Sequence, residues 1–307
     1  MKFLLTAINA KFIHSNPAIY SLRAGVGEKL QPYVELAEFT INESLESILE
    51  GIWKRQPKVI GFSCYIWNWK LIREILTELP KILPDTEIWL GGPEVTYDGP
   101  GLLSEFPQVT GIMVGEGEVT FREVLGQYVR EAESTGQSEQ QPEPDSIEQQ
   151  AADRTGTLAG KSVAERFGQI PGLCLASGYT APRELTDLTT LPFLYEDMEP
   201  FTNRIIYYET SRGCPYRCSY CLSSIDKKVR LRDIDVVKRE LQFFLDQNVK
   251  QVKFIDRTFN CDHKHAMEIW EYIYKHDNGV TNFHFEISAD ILREEEIVLL
   301  NRFRPGL

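Results

Sequence analysis

The sequence predicts an α/β protein in which a doubly wound parallel sheet is followed by a second, shorter series of β-α units. Short apolar runs alternate with amphipathic stretches over the first 130 residues, and the same alternation resumes near Arg204. The runs are apolar on both faces, as the buried strands of a parallel sheet are. These two observations predict the fold class, and each predicted element is justified below in chain order.

Five β-α repeats account for the predicted first domain, residues 1–130. The apolar runs predict strands at residues 2–8, 34–39, 59–64, 87–91 and 111–115. The amphipathic stretches predict helices near residues 17–30, 44–56, 68–82, 99–106 and 118–130. Pro17 suits a first helical turn, and Ser44 is a candidate N-cap residue. Right-handed crossovers would place these helices on both faces of the sheet.

The composition changes after the fifth repeat. Seven acidic residues and no basic residue lie between Glu131 and Asp153, so this stretch carries most of the net charge of −12. Gln, Glu, Ser and Pro dominate it, and such a segment buries too little apolar surface to offset its chain entropy. We therefore expect residues 131–167 to be a disordered linker and residues 168–203 to be a connector of short strands and turns.

The second β-α series occupies the predicted second domain, residues 204–307. It contains predicted strands at residues 205–209, 251–255 and 282–288, and predicted helices at residues 234–248, 263–276 and 294–303. Three units of this kind would leave the last strand with an uncovered edge, so the series looks unfinished.

The most specific feature of the sequence is a cysteine cluster between the first strand and the first helix of the second series. Cys214, Cys218 and Cys221 have the spacing C-x3-C-x2-C, whereas the other three cysteines are isolated. Paired cysteines of a disulfide framework would be spread over the chain, so the cluster indicates a metal site in a reducing compartment, with the cytoplasm as predicted location. Thiolates are soft ligands suited to iron–sulfur clusters, and three of them leave one iron of a four-iron cluster open. The alternatives are incidental cysteines or a zinc site that takes its fourth ligand from Cys261 or His263.

The cysteine spacing, with the aromatic Tyr220 directly before the third cysteine, resembles the motif of the radical S-adenosylmethionine (SAM) superfamily. The resemblance implies a [4Fe-4S] cluster on the three cysteines, with SAM bound at the open iron. It also implies a partial (β/α) barrel, and cleavage of SAM to a 5′-deoxyadenosyl radical after an electron arrives from flavodoxin or ferredoxin. Tyr220 would contact the adenine, largely through its backbone.

Three further residues are candidates for binding SAM by this resemblance. Asp256 lies at the end of the second strand, where many members of the superfamily carry Gly-Gly-Glu, which this sequence lacks; it would otherwise cap the next helix. Glu286 and Ser288 point to the same face of the predicted third strand. The alternative for Glu286 is a buried salt bridge, for instance with Arg257.

The loops that follow the strands of the first domain resemble those of the cobalamin-binding domain, a flavodoxin-like fold. They contain neither G-x-G-x-x-G in the first β-α turn nor a P-loop, so a dinucleotide site is not favoured and a P-loop site is excluded. The resemblance makes the following residues candidates for binding cobalamin: Ser63, Tyr65, Asn68, Gly91, Gly92, Pro93, Glu94, Gly115, Glu116 and Gly117. The D-x-H-x-x-G motif is absent, so His14 is expected to be a surface or capping residue and cobalamin to bind without a protein histidine.

The order of the two domains resembles the B12-dependent radical SAM class, and more narrowly its uncharacterised members with a C-terminal domain of unknown function. The resemblance implies methyl transfer or radical rearrangement on an unknown substrate, by a chain truncated within its barrel and weakly active or inactive by itself. The alternatives are a cobalamin-free radical SAM enzyme whose first domain binds the substrate, and an inert fragment that only binds a metal cluster. The acidic composition does not indicate a nucleic-acid partner, and no apolar run is long enough to span a membrane.

Overall fold

The structure, a computed structural model, describes residues 1–134, 161–226 and 228–304. The chain forms two compact units. The first comprises Met1–Phe12 and Ala18–Leu185, and the second comprises Ile13–Pro17 and Thr186–Leu307. Most of the predicted disordered linker, residues 135–160, lies outside the described residues.

A parallel sheet forms the centre of the first unit. Its strands are β1 (Phe3–Asn9), β2 (Val34–Thr40), β3 (Val59–Ser63), β4 (Glu87–Gly91) and β5 (Val109–Met113). Their order in the sheet is β2-β1-β3-β4-β5, which is the flavodoxin-like order of a doubly wound fold. The predicted fold class is therefore confirmed.

Five helices cover the two faces of this sheet: α1 (Pro17–Gly25), α2 (Leu45–Trp53), α3 (Trp69–Ile82), α4 (Gly99–Glu105) and α5 (Gly117–Ser134). One apolar core joins α2, α3 and α4 to the sheet, with Ile48, Ile72 and Leu102 among its buried residues. The opposite core joins α1 and α5, with Ile19 and Phe121 buried. Ser44 caps α2 as predicted, since its hydroxyl accepts a hydrogen bond from the Ser47 N–H at 3.2 Å.

Both ends of the predicted disordered linker, residues 131–167, are helical, and the connector after it contains short strands, as expected. Helix α5 continues to Ser134, and a further helix, α6, spans Val163–Phe167. Two short antiparallel strands, β6 (Leu173–Leu175) and β7 (Gly178–Tyr179), extend the sheet beyond β5. Ion pairs hold helix α6 against the first unit, because the buried guanidinium of Arg166 bridges Glu87 at 3.0 Å and Glu131 at 2.9 Å.

The second unit contains a three-stranded parallel sheet of β8 (Ile206–Tyr208), β11 (Gln251–Phe254) and β12 (Asn282–His284), in the order β12-β11-β8. A two-stranded antiparallel ribbon of β9 (Ser211–Arg212) and β10 (Arg230–Leu231) follows β8. The helices are α7 (Ile234–Asp246), α8 (His263–His276) and α9 (Glu294–Leu300). The predicted third strand is too long, since it ends at His284 and residues 285–288 form a loop.

The segment Ile13–Pro17 belongs to the second unit, where it runs beside β8. The Ile205 N–H donates to the carbonyl oxygen of Ile13 at 2.9 Å, and the Ser15 hydroxyl donates to the Ile205 carbonyl at 3.2 Å. The His14 ring is hydrogen-bonded to the hydroxyl of Tyr207. His14 is therefore half-buried and paired, and the expectation of a surface or capping histidine is wrong.

Within the described residues, the helices are all too short or too polar to cross a membrane.

Candidate functional site

The cysteine motif lies in a loop that the ribbon of β9 and β10 closes at its base. The Cys214 N–H donates to the carbonyl oxygen of Asp226 at 3.0 Å, across the loop. Gly213, directly before the first cysteine, has a φ of 95°, and a Cβ atom there would clash with the carbonyl oxygen of Lys228. Only glycine accommodates both the positive φ and this close backbone approach. The sequence Arg212-Gly213-Cys214 thus fixes where the motif begins.

The three thiols of the motif are free and differ in exposure. Cys214 is buried, whereas Cys218 and Cys221 are exposed. Hydrogen bonds from Ser223, followed by the positive charge of Arg257, hold the pKa of the Cys221 thiol below its usual value. A lowered pKa favours the thiolate, which is the form that binds a metal.

The donor set of the loop consists of the three cysteine thiols. Among the described residues, no group of three His, Cys, Asp or Glu side chains is arranged to hold one metal ion. His263, one of the fourth ligands named for the zinc alternative, pairs with Glu296 at 2.8 Å. In an iron–sulfur cluster each thiolate binds one iron, so three thiols on one loop could hold three irons of a four-iron cluster and leave the fourth open.

Asp256 is hydrogen-bonded to the residues that precede the cysteine motif. Its carboxylate is 1% exposed. It accepts hydrogen bonds from the Thr210 N–H at 3.1 Å, the Thr210 hydroxyl at 2.7 Å and the Ser211 hydroxyl at 2.6 Å. Burial raises the pKa of this carboxyl, against the lowering effect of the Ser211 and Thr210 bonds. Asp256 does not cap the next helix, since Asp262 caps α8.

The other predicted SAM-binding residues lie in two nearby loops of the second unit. Glu286 is exposed and forms an ion pair with Lys253 at 3.2 Å, rather than the buried salt bridge named as the alternative to SAM binding. The Ser288 hydroxyl accepts a hydrogen bond from Tyr216, inside the cysteine motif, at 3.2 Å. Tyr220 is 91% exposed on the cysteine loop. The binding of SAM by these residues stays a prediction.

Two site residues were not predicted from the sequence. The buried side chain of Asn260 donates to the Ser288 carbonyl and accepts from the Ser288 N–H, both at 2.9 Å. Tyr216 connects the cysteine loop to Ser288. A polar residue between two apolar neighbours in Phe259-Asn260-Cys261 was the available signal, but its partner lies 28 residues away.

In the first unit, the candidate cobalamin residues follow the adjacent strands β3, β4 and β5. The β3 and β4 loops cross closely, because the Cys64 N–H donates to the Gly91 carbonyl at 2.7 Å. Gly92 has a φ of 112°, and a Cβ atom there would clash with the Cys64 carbonyl oxygen. Pro93 and Glu94 continue this half-buried turn. Gly92 is therefore required by the backbone at this edge of the sheet.

Asn68 organises the loop after β3. Its buried side chain accepts from the Tyr65 N–H at 2.8 Å and donates to the carbonyl oxygens of Ile8 and Ser63 at 3.0 and 2.9 Å. Tyr65 stacks on Trp67 with ring centroids 4.3 Å apart. Asn68 thus shapes the loop, and its side-chain amide is committed to the backbone.

The loop after β5 leaves open space at Gly115. Gly115 has a φ of 79°, and no atom lies within 4 Å of the position of a Cβ atom there. Glu116 follows it, and Gly117 begins α5. Since β3, β4 and β5 are parallel neighbours, all three loops meet at the carboxyl edge of the sheet, where ligands of doubly wound domains bind.

Comparison with known families assigns each unit. Residues 4–125 match the family described as B12 binding domain. Residues 208–303 match the family described as Radical SAM superfamily. Both predicted resemblances are confirmed, in the predicted order along the chain.

Curated relatives of the chain include methyltransferases. The chain is 27% identical over 228 residues to 2-(S-pantetheinyl)-carbapenam-3-carboxylate methyltransferase of Streptantibioticus cattleyicolor. The alignment covers 71% of this chain and 29% of the relative. The chain is 24% identical over 226 residues to the cobalamin-dependent radical SAM methyltransferase TokK of Streptomyces tokunonensis, in an alignment that covers 66% of this chain and 28% of the relative. The chain thus spans less than a third of the length of either relative.

The fold also has a counterpart among solved structures. The radical SAM methyltransferase TsrM from Kitasatospora setae, with tryptophan and a SAM analogue bound, superposes with a TM-score of 0.63 at 18% identity. The match covers 98% of this chain and 57% of TsrM. At this identity the likeness establishes the two-domain fold of the chain.

Proposed function

We propose that this chain is the cofactor-binding part of a cobalamin-dependent radical SAM enzyme, since one of its units matches the B12 binding domain and the other matches the Radical SAM superfamily. In this proposal Cys214, Cys218 and Cys221 hold a [4Fe-4S] cluster and SAM occupies its open iron. Cobalamin lies at the carboxyl edge of the first sheet. The observation that carries the proposal is the C-x3-C-x2-C loop of three free cysteines, on a chain that matches both families.

When bound, the cluster and SAM supply a 5′-deoxyadenosyl radical, and cobalamin supplies a carrier for a methyl group. The residues of this chain bind and orient these groups. Gly213 sets the start of the loop, Ser223 and Arg257 lower the pKa of the Cys221 thiol, and Tyr216 connects the loop to Ser288. Ser288, Glu286 and the Tyr220 backbone are the proposed contacts of SAM.

At the proposed cobalamin site, the backbone permits close approach of a large ligand. Gly92 and Gly115 adopt positive φ values, and the position of a Cβ atom at Gly115 is open. The D-x-H-x-x-G motif is absent from the sequence, and His14, the histidine after β1, is engaged with Tyr207. We therefore propose that cobalamin binds here without a histidine from the protein.

The proposed reaction is methyl transfer to a substrate that the chain does not identify. The relatives named methyltransferases support this class, with radical rearrangement as the second possibility.

Three exposed cations, Arg217, Lys228 and Arg257, lie in or beside the cysteine loop. Such a surface suits an acidic electron donor, for which we propose flavodoxin or ferredoxin. The thiol set requires a reducing compartment, and the cytoplasm remains our proposed location.

The deciding experiment is the metal content of the chain after anaerobic purification from cobalamin-fed cells. We expect about four irons per chain, from the cluster type, together with about one cobalt. The Cys218→Ala variant should lose most of the iron and keep its cobalt. Cys261→Ala, which removes a half-buried cysteine outside the motif, is the matched control and should keep both.

Three results would change the proposal. Zinc in place of iron would overturn the cluster. Iron without cobalt would favour the cobalamin-free alternative, in which the first unit binds the substrate. A full iron load in Cys218→Ala would show that the motif does not hold the cluster.

A further inference from the structure

The turn that follows β11 carries a buried carboxylate whose partners belong to another strand. Asp256 lies two residues beyond β11, and its oxygens accept three hydrogen bonds from Thr210 and Ser211. Thr210 and Ser211 follow β8 and precede Gly213 and Cys214. The carboxylate therefore holds the chain at the point where the cysteine loop begins.

The same turn contacts the cysteine loop and the loop after β12. The Thr258 hydroxyl lies 3.5 Å from the Cys214 Sγ atom. Asn260, which is 0% exposed, exchanges two hydrogen bonds with the backbone of Ser288. Ser288 in turn accepts the hydrogen bond from Tyr216. The turn of residues 256–260 thus connects the carboxyl ends of three neighbouring strands.

We infer that Asp256 is a positioning residue of the cysteine loop, which it holds through Thr210 and Ser211 rather than by touching the cluster or SAM. The inference rests on the proposed function, since it assumes that the loop binds a cluster. It replaces the SAM-binding role that the position of Asp256 in the sequence predicts. The carboxylate oxygens are committed to three neutral donors and shielded from solvent.

Substitutions of Asp256 can distinguish a role in positioning the cysteine loop from a role in binding SAM. In Asp256→Asn, the amide oxygen can accept from the Thr210 N–H while the amide nitrogen donates to the two hydroxyls, which accept as well as donate. The asparagine side chain can therefore keep the loop in place but carries no charge for the amino group of SAM. In Asp256→Ala the three donors lose their partner. Loss of a group that hydrogen-bonds a metal ligand lowers metal affinity by about 10- to 100-fold, and we expect an effect at the lower end because Asp256 acts through Thr210 and Ser211.

The test compares cluster retention with SAM binding in three variants of the full chain. Iron per chain is measured after anaerobic reconstitution, followed by the chelator concentration that removes half of the iron and the Kd for SAM by equilibrium dialysis. We expect Asp256→Ala to lose iron at about tenfold lower chelator concentration. Asp256→Asn should resemble the wild type in both iron retention and SAM affinity.

Glu296→Ala is the matched control for a merely structural effect. Glu296 is a fully buried carboxylate of the same unit, but it accepts hydrogen bonds from His263 and Arg293, away from the cysteine loop. At a temperature where circular dichroism shows all variants folded, Glu296→Ala should keep its iron.

Four outcomes would contradict the inference, and they can be told apart. Wild-type iron retention in Asp256→Ala, or equal iron loss in Glu296→Ala, would remove the positioning role. Full iron with weakened SAM binding in Asp256→Asn would make Asp256 a ligand of SAM. A wild-type chain that takes up no iron would remove the proposed function itself.

Discussion

At the scale of single residues, the surroundings of each cysteine decide its chemistry. Cys221 is exposed, and the hydrogen bonds of Ser223 stabilise its thiolate. Cys261 lies half-buried, and burial raises the pKa of its thiol, with a smaller contribution from nearby negative charges. Since the thiolate is the nucleophile, the two cysteines should differ in the pH at which they react.

We predict that Cys221 in the reduced, cluster-free chain is alkylated by iodoacetamide with a lower midpoint pH than Cys261. A lowered pKa means that the thiolate is present from a lower pH upward, whereas a raised pKa delays it to a higher pH. The rates are measured residue by residue by mass spectrometry across a pH series. The midpoint reports the pKa and is not set by the accessibility of the thiol.

Ser223→Ala provides the control for the cause of this difference. It removes the hydrogen bond that contributes most to the lowering, so the midpoint of Cys221 should rise while that of Cys261 stays constant. A Cys221 midpoint at or above that of Cys261 in the unsubstituted chain would contradict the assignment.

At the scale of elements, the sequence predicts a strand well where its pattern is local. The strand predicted at residues 87–91 is found with those bounds, and α8 is found at 263–276, because buried parallel strands and amphipathic helices have their own periodicity. The end of β12 was missed because Asn260, far away in the sequence, binds the Ser288 backbone. The sequence does not predict helix α6, because the contacts that hold it are tertiary: its Arg166 pairs with Glu87 of β4 and Glu131 of α5.

In the candidate site, too, the sequence predicts features that depend on local pattern but not those that depend on tertiary contacts. Local spacing was enough to single out the cysteine motif, and the glycines at the ends of β4 and β5 also came from local pattern. The partners of Asp256 could not be predicted, since Thr210 lies 46 residues away and nothing in its own sequence marks it as a donor to a buried carboxylate. Tertiary hydrogen bonds of this kind carry no periodic signal.

We predict that Arg166→Ala destabilises the first unit by about 3 kcal/mol, since removing one partner of a buried ion pair leaves uncompensated charge. The Arg166 side chain is 8% exposed, bridges Glu87 and Glu131, and lies over the ring of Tyr128. The free energy of unfolding is measured by urea titration of the cluster-free chain.

Arg73→Ala is the matched control, because Arg73 forms an ion pair with Glu105 in which both side chains are exposed. Exposed pairs contribute about 0–1 kcal/mol, so this variant should unfold almost as the wild type does. Equal losses in the two variants would mean that the bridge does not hold α6 in place.

At the scale of the whole molecule, the two proposed cofactor sites lie in different compact units of the chain. The cysteine motif lies entirely in the second unit, and the glycine turns after β4 and β5 lie in the first. Each proposed cofactor therefore depends on backbone geometry within its own unit, and a change in one site should leave the other loaded.

We predict that Gly92→Ala lowers the cobalt content of the chain several-fold without changing its iron content. A Cβ atom at residue 92 would clash with the Cys64 carbonyl oxygen at a φ of 112°, so the crossing of the β3 and β4 loops must shift. Gly27→Ala is the control, because Gly27 also has a positive φ of 78° but no atom within 4 Å of its Cβ position. Gly27→Ala therefore adds only the cost of an alanine at a positive φ, and this variant should keep its cobalt. Loss of cobalt in both variants would indicate general destabilisation of the first unit, and full cobalt in Gly92→Ala would exclude this turn from the cobalamin site.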